Sequence, residues 1–488
     1  MTSNLDIRLT SGGKMNSQYL SHALSSFLPA EDKEKFIAAC GRPLRKSVRV
    51  NRLKSSVEAF QKLADKYHWS LETIPWCSDG FWITHSEEPL LSLGNTPEHI
   101  QGLFYIQEAS SMLPPIALLE GGVIDSPLVV DMAAAPGSKT TQLAAMLNNN
   151  GIVLANELSA SRLKSLHNNL VRCGILNTAM SHLDARKIGE FAAELFDFVL
   201  LDAPCGGEGT VRKDPMALNH WQLEKVNELA ALQKELVQSA YRALKPGGKL
   251  VYSTCTLSME ENQQVANYLI DQTDAQICSL KNLFDGAEKA TTTEGYLHVL
   301  PHTFDSEGFF VACFSKPEIK HSSVSLAPIY TSPFTALSKK TKTQFEDYYQ
   351  QHFGIAIEPP GYQLLQRDKA VWLFPEDIER INQFIKVNRA GMKIGDIYPN
   401  KIRSTHEFAS CLGLQASKQV VDISDEELVS FLRGNNLNID ATGLANGEVL
   451  LRYQHHIVGI AQNQKGKLKN GLPRELVKDN FQLGGVTR

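Results

Sequence analysis

From Pro127 onward, short apolar runs alternate with segments whose apolar residues recur every three or four positions. The runs predict strands over 128–131, 152–156, 178–182, 196–202 and 249–254, and the periodic segments predict helices over 140–147, 160–172, 221–244 and 259–271. Lys245-Pro246-Gly247-Gly248 ends the longest helix, since proline removes a backbone donor and glycine permits an abrupt exit. Strands covered on both faces read as continuous apolar runs, so the pattern is that of an α/β domain with a parallel sheet between two helical layers. A last pair, 296–300 and 309–314, reads as a hairpin closing the sheet edge.

Upstream, helical periodicity over 19–27, 31–40 and 57–67 mixes with strand-like runs around Val48 and Phe81, as in a smaller α+β unit. Downstream, periodicity gives way to a stretch rich in Ser, Thr, Pro and Lys, which marks a linker. Strand-like pieces return at 370–374 and 448–453. At 488 residues the chain exceeds what one core organises. The expected division is an accessory domain over 1–120, the sheet domain over 121–318, a linker over 319–342, a connecting subdomain over 343–390 and a final domain over 391–488.

Lys and Arg number 49 against 53 Asp and Glu, a net charge of −4, which argues against a protein that coats nucleic acid over its whole surface. Local basic segments remain. Arg42, Arg45, Lys46, Arg49, Arg52 and Lys54 form one without an acid, and Lys465, Lys467 and Lys469 form another, both suited to gripping phosphates. The eight cysteines contain no C-x-x-C pair, so free thiols in a reducing compartment and no metal centre are expected. The first residues lack the apolar core of a signal peptide, and no apolar run is long enough for a membrane span, which points to the cytoplasm.

The candidate chemistry lies at predicted strand ends. Asp131-Met132-Ala133-Ala134-Ala135-Pro136-Gly137-Ser138-Lys139-Thr140 is a small-residue loop leading from strand to helix, where backbone can approach a ligand and helix N–H groups favour an anion. It is neither G-x-G-x-x-G nor G-x-x-x-x-G-K-[ST]. Glu157 follows 26 residues after Asp131, where an acid meets ribose hydroxyls, and Asp184 lies just past the third strand. Three acids on consecutive strand ends favour a nucleoside-bearing cofactor. Asp202-Ala203-Pro204-Cys205 and Tyr252-Ser253-Thr254-Cys255 each place a thiol just past a strand. A thiolate, an aspartate and a second thiol on one rim suit covalent attack on a pyrimidine ring. Most free cysteines are small buried hydrophobes, and that reading is kept for Cys40, Cys77, Cys173, Cys278, Cys313 and Cys411. Cys205 lies in Pro-Cys-Gly-Gly-Glu-Gly, too polar and glycine-rich for a core.

With these residues the chain resembles the NOL/NOP/Sun (Fmu) family of RNA cytosine-5 methyltransferases over roughly 49–314. Further matching segments are Arg49-Val50-Asn51-Arg52, Phe104-Tyr105-Ile106-Gln107-Glu108-Ala109-Ser110-Ser111 and Gly308-Phe309-Phe310-Val311-Ala312. The resemblance implies a Rossmann-like class I S-adenosylmethionine methyltransferase domain behind an N-terminal α+β domain that binds RNA. S-adenosyl-L-methionine would be bound by Asp131, Ala133, Ala134, Ala135, Pro136, Gly137, Ser138, Lys139, Glu157, Asp184 and Asp202. Cys255 falls on the family's nucleophile, Cys205 on the cysteine that releases product, and Asp202 and Lys139 complete the implied catalytic set. Pro204, Arg49 and Arg52 would meet the RNA. Gly206 departs from the Ser or Thr that commonly follows the first cysteine.

Gly447-Glu448-Val449-Leu450-Leu451 and Leu468-Lys469-Asn470-Gly471-Leu472-Pro473 resemble a C-terminal PUA-like RNA-binding region, although Gln454-His455-His456-Ile457 stands where a glycine turn is expected. Gly206-Gly207-Glu208-Gly209, Leu300-Pro301-His302 and the long C-terminal extension point within the family to small-subunit (16S) ribosomal RNA, free or in the assembled subunit. Transfer RNA as substrate, attack by Cys205 as in DNA methyltransferases, and a non-catalytic ribosome assembly factor are the competing expectations.

Overall fold

The computed structural model describes residues 7–8, 14–16, 18–85, 93–219, 221–318, 328–399, 401–439 and 443–483. Most of the segment read for a signal peptide, and 319–327 of the expected linker, lie outside the described residues.

At the centre is a nine-stranded sheet. Its strands are β1 (Leu128–Asp131), β2 (Ile152–Asn156), β3 (Thr178–Ser181), β4 (Phe196–Asp202), β5 (Leu244–Thr254), β6 (Gln276–Ile277), β7 (Leu297–Val299), β8 (Phe309–Ser315) and β9 (Val387–Ala390). They are ordered β6-β8-β5-β4-β1-β2-β3-β9, with β7 paired to β8. The five strands from β5 to β3 are parallel. The chain builds β2 and β3 on one side of β1, then crosses to build β4 and β5 on the other. Between β1 and β4 the connections diverge, which leaves a crevice at the carboxyl ends of the strands.

Alternation along the strands explains the two covering layers. Leu128 and Val130 of β1 join a cluster with Ala230, Val237 and Ala240 of α3 (Leu223–Ala243) and Val265 of α4 (Gln263–Gln272). Val129 joins a different cluster with Leu143 of α1 (Ser138–Met146) and the helix Leu113–Leu119. A further helix, α2 (Ala160–Cys173), packs through Leu166 and Leu170 beside the glycine loop.

Two boundaries differ from expectation for local reasons. Lys245–Gly248 does more than stop α3: β5 starts at Leu244, and a register shift against β4 absorbs the Pro-Gly-Gly. α4 starts at Gln263 because Glu261 and Asn262 are held as loop, the Tyr252 hydroxyl donating to the Glu261 carbonyl and the Thr254 hydroxyl to Asn262 Oδ1, each at 2.5 Å.

The accessory unit carries a four-stranded antiparallel sheet ordered Trp69–Ile74, Cys77–His85, Lys46–Val50, Phe104–Ile106. A five-stranded sheet begins inside the expected linker, where Thr335–Ala336 forms its first strand and the helix Lys339–His352 starts, and continues with Tyr362–Arg367, Ala370–Pro375, Met392–Tyr398 and Lys401–Ser404. Its last two strands fall beyond the expected boundary at 390, so the connecting unit is longer than periodicity indicated. Between its strands the chain leaves to add β9 to the open edge of β3. The last unit is a second five-stranded sheet that includes Gly447–Tyr453, His456–Gln464 and Lys467–Asn470. Its hairpin turn needs no glycine: Gln454 and His455 themselves adopt left-handed backbone, with φ of 46° and 73°. Lys66 donates to Gln454 Oε1 and Gln101 to the Tyr453 carbonyl, so the turn is docked on the accessory unit. Among the described residues no helix is long and apolar enough to cross a membrane.

Candidate active site

The loop after β1 turns at Gly137, whose φ of 106° is open to glycine and whose absent Cβ would lie 2.9 Å from Leu166 Cδ1 of α2. α2 also fixes the loop's carbonyls: Arg162 donates to the Ala135 oxygen and Asn169 to that of Pro136, the latter at 2.9 Å. Beneath the loop Asp131 is fully enclosed, and Oδ2 accepts from the Thr140 hydroxyl at 2.7 Å while Oδ1 has no hydrogen-bond partner.

A cavity of about 580 Å³ opens at the crevice. Of the expected residues, Ala133, Ala135, Glu157, Asp184, Asp202, Pro204, Cys205 and Cys255 line it. Asp131, Ala134, Pro136, Gly137, Ser138 and Lys139 form its support rather than its wall. Glu157 is held by the Ser159 amide at 2.8 Å and by Arg162, 3.3 Å away. Leu158, Arg162 and Arg186 also line the cavity and were not singled out from sequence, where nothing marks an exposed leucine or a helical arginine as a ligand contact. Asp184 reaches the wall with its carboxylate already gripped by Arg186 at 2.6 Å, a pairing that holds its pKa below the usual range. The volume lies within the range of small-molecule sites. A polar end at Glu157, an apolar wall from Met132, Leu158, Ala185 and Leu201, and the unpartnered oxygen of Asp131 under the loop fit a nucleoside carrying an amino-acid tail.

At the other end two thiols meet. Asp202 of β4 pairs with Ser253 of β5, so the parallel register carries Cys205 and Cys255 to the same height, and their sulfurs are 3.3 Å apart. Both are half-buried. The contact with Cys255, and then burial, push the Cys205 thiol well up. Lys139 reaches from α1 to donate to Asp202 Oδ2 at 2.7 Å and to the Ser111 hydroxyl at 2.9 Å. Ser253 donates to the other Asp202 oxygen at 2.8 Å. Burial would lower the Lys139 pKa, but Asp202 overrides it and keeps the ammonium charged. The Lys139–Asp202 pair and the Cys205–Cys255 pair thus lie at one rim, close enough for their charges to interact.

Part of the basic segment is committed within the protein and part stays exposed. Arg49 is 3% exposed, and it donates to Gln107 Oε1 at 2.9 Å and Thr141 Oγ1 at 3.0 Å, bolting the accessory unit to α1. This corrects the expectation that Arg49 touches RNA. Lys54 is likewise committed, to the carbonyls of Gln101 and Arg172 and to Ser410. Arg45 pairs with Glu72 and Asp305 and lies over Trp82. Arg52 keeps its side chain 47% exposed, with Asp79 3.7 Å away. No cluster of three or more metal-ligating side chains occurs among the described residues.

Family models match consecutive parts of the chain. Residues 16–109 match the N-terminal domain of 16S rRNA methyltransferase RsmF, 123–315 the 16S rRNA methyltransferase RsmB/F model, 334–412 the pre-PUA domain of ribosomal RNA small subunit methyltransferase F, and 418–478 the methyltransferase RsmF PUA domain. A solved methyltransferase homologue from Pyrococcus horikoshii is similar at 35% identity and a TM-score of 0.53, covering 62% of this chain and 95% of that one. Ribosomal RNA small subunit methyltransferase F of Shewanella sp. strain ANA-3 is 47% identical over 96% of this chain and 98% of its own, and that of Shewanella oneidensis is equally similar over the same shares. With such identity along nearly its whole length, the chain belongs to the ribosomal RNA small subunit methyltransferase F family.

Proposed function

We propose that this enzyme methylates C5 of a cytosine in small-subunit (16S) ribosomal RNA through a covalent bond between Cys255 and C6. The contact of two thiols at the rim, beside a lysine-paired aspartate, carries the reading. Cytosine C5 is too weak a nucleophile to take a methyl group unaided, and addition of a thiolate at C6 turns C5 into an enamine carbon. S-adenosyl-L-methionine, when bound, supplies the electrophilic methyl group. Ala133, Ala135 and Glu157 would hold it, and Asp131 would anchor the loop around it.

Asp202, fixed by Lys139 and Ser253, would accept from the N4 amino group of the cytosine, and the Lys139 ammonium beside it would offset the negative charge that develops at N3 as sulfur adds to C6. Cys205 stands beside the carbon–sulfur bond that must break and, as a thiol, donates to the departing Cys255 sulfur while the C5 proton is lost to solvent water. The target base has to leave its stack to reach Cys255, which costs a few kcal/mol and favours loops and helix ends. The divisions 16–109, 123–315, 334–412 and 418–478 are adopted as the working domains, with the last as an RNA-binding unit. With labelled cofactor and small-subunit particles, Cys255→Ala should abolish transfer and Cys205→Ala should accumulate a protein–RNA adduct, with bisulfite sequencing locating the cytosine. Transfer by Cys255→Ala would overturn the assignment.

A further inference from the structure

Glu261 has no exposed surface and, among the described residues, no Lys or Arg pairs with it. Its partners are all neutral donors, and two of them sit on the segments that carry the thiols. The Gly206 amide, next to Cys205, donates to Oε2 at 3.0 Å, and the Thr256 hydroxyl, next to Cys255, donates to Oε1 at 3.2 Å. Gln233 of α3 donates to Oε2 at 2.7 Å and to the Pro204 carbonyl at 2.9 Å, closing a brace around the Pro204–Gly206 turn. Gly206 makes the approach possible, since a Cβ there would lie 2.9 Å from Oε1. An enclosed carboxylate without a cation is unfavourable, and such groups concentrate where charge does work.

The charged groups acting on the two thiols differ. Glu261 and Asp202 both act on Cys205 to disfavour its thiolate, whereas the Lys139 ammonium interacts favourably with charge on Cys255. We propose that Glu261 is a positioning residue that assigns the two thiols their roles, its carboxylate keeping Cys205 protonated as a hydrogen-bond donor so that the negative charge resides on Cys255. The inference rests on the reading of Cys255 as nucleophile and adds the reason why its neighbour does not attack.

The charge of Glu261 is itself titratable: burial, with Glu208 adding to it, pushes the carboxyl up to about 7 against the hydrogen bond from Gln233. The other groups facing it are Cys205 and the Tyr252 phenol, both raised by burial among their causes, and Glu208, which is held by Ser258, Trp221 and the Leu257 amide. Iodoacetamide labelling of the full-length protein, read by mass mapping of the two cysteine peptides, tests the proposal. In the wild type Cys255 should label faster, and the Cys205:Cys255 rate ratio should rise as pH falls from 8 to 6 and Glu261 takes up a proton. In Glu261→Gln the ratio at pH 8 should be at least tenfold higher and flat with pH, and in Glu261→Asp it should return towards the wild-type value. A flat wild-type profile with an unchanged ratio in Glu261→Gln overturns the role of Glu261 alone. Faster labelling of Cys205 in the wild type overturns the assignment of Cys255 as well, so the two failures are told apart.

Discussion

Asp131 is enclosed at a cost to stability. Burial pushes its carboxyl up to about 6, against the hydrogen bond from Thr140. A carboxyl raised in the folded state favours folding below its unfolded pKa, and that contribution is lost as pH rises through about 6. Asp131→Asn keeps the acceptor for Thr140 and removes the charge, so at pH 8 the ligand-free variant should be more stable, by up to about 3 kcal/mol. Denaturant midpoints at pH 5 and pH 8 check this, the gain at pH 5 being about half that at pH 8, while calorimetry should show weaker S-adenosylmethionine binding. Arg49 and Arg52 separate two roles that the sequence ran together. Arg49→Met should cost about 2–3 kcal/mol of stability by stranding Gln107 and Thr141, with no change in the salt dependence of RNA binding. Arg52→Gln should leave stability alone and lower the salt slope by about one, as for a lost phosphate contact.

At the scale of elements, β9 matters most to the sheet. β3 is the last of the parallel strands, and without a neighbour it would present a row of unpaired backbone groups. Val387–Ala390 covers it in antiparallel register, at the far end of more than half of the remaining chain. A protein ending at Glu318 keeps every residue of the cofactor loop and both thiols, yet it should self-associate through β3. Light scattering of the truncated chain at micromolar concentration tests this, and a monodisperse monomer would show that β9 is dispensable. The predicted strands coincide with the observed ones where apolar runs are fully enclosed, as in β1, β2 and β4. Val387-Asn388-Arg389-Ala390 was missed because an edge strand has one neighbour and needs no long apolar run.

Across the whole molecule, buried polar contacts join the units. Arg49 links the accessory unit to α1, and Glu407 of the connecting unit accepts from Arg389 of β9 and lies 3.5 Å from His167 of α2. Burial alone would raise the Glu407 pKa, but His167 and Arg389 draw it down to about 2. A depressed carboxyl stabilises the fold above its unfolded pKa and loses that contribution as pH falls towards 2, so Glu407 supplies at most about 3 kcal/mol at neutral pH. Glu407→Gln should therefore lower the melting temperature at pH 7 and leave it nearly unchanged near pH 2.5, as thermal scans at the two pH values would register.

Periodicity and the positions of Asp131, Glu157, Asp202, Cys205 and Cys255 just past apolar runs determined, by themselves, a parallel α/β sheet with its chemistry on one rim. That much is local, because strand period and strand end are written in consecutive residues. Only the tertiary structure decided which cations are free and which are structural, since Arg49 and Arg52 are equally charged in sequence and differ only in what packs around them. It also decided that Glu261 braces the two thiols, because that contact joins residues on separate strand ends through a shared buried acceptor, and no spacing along one chain encodes such a meeting.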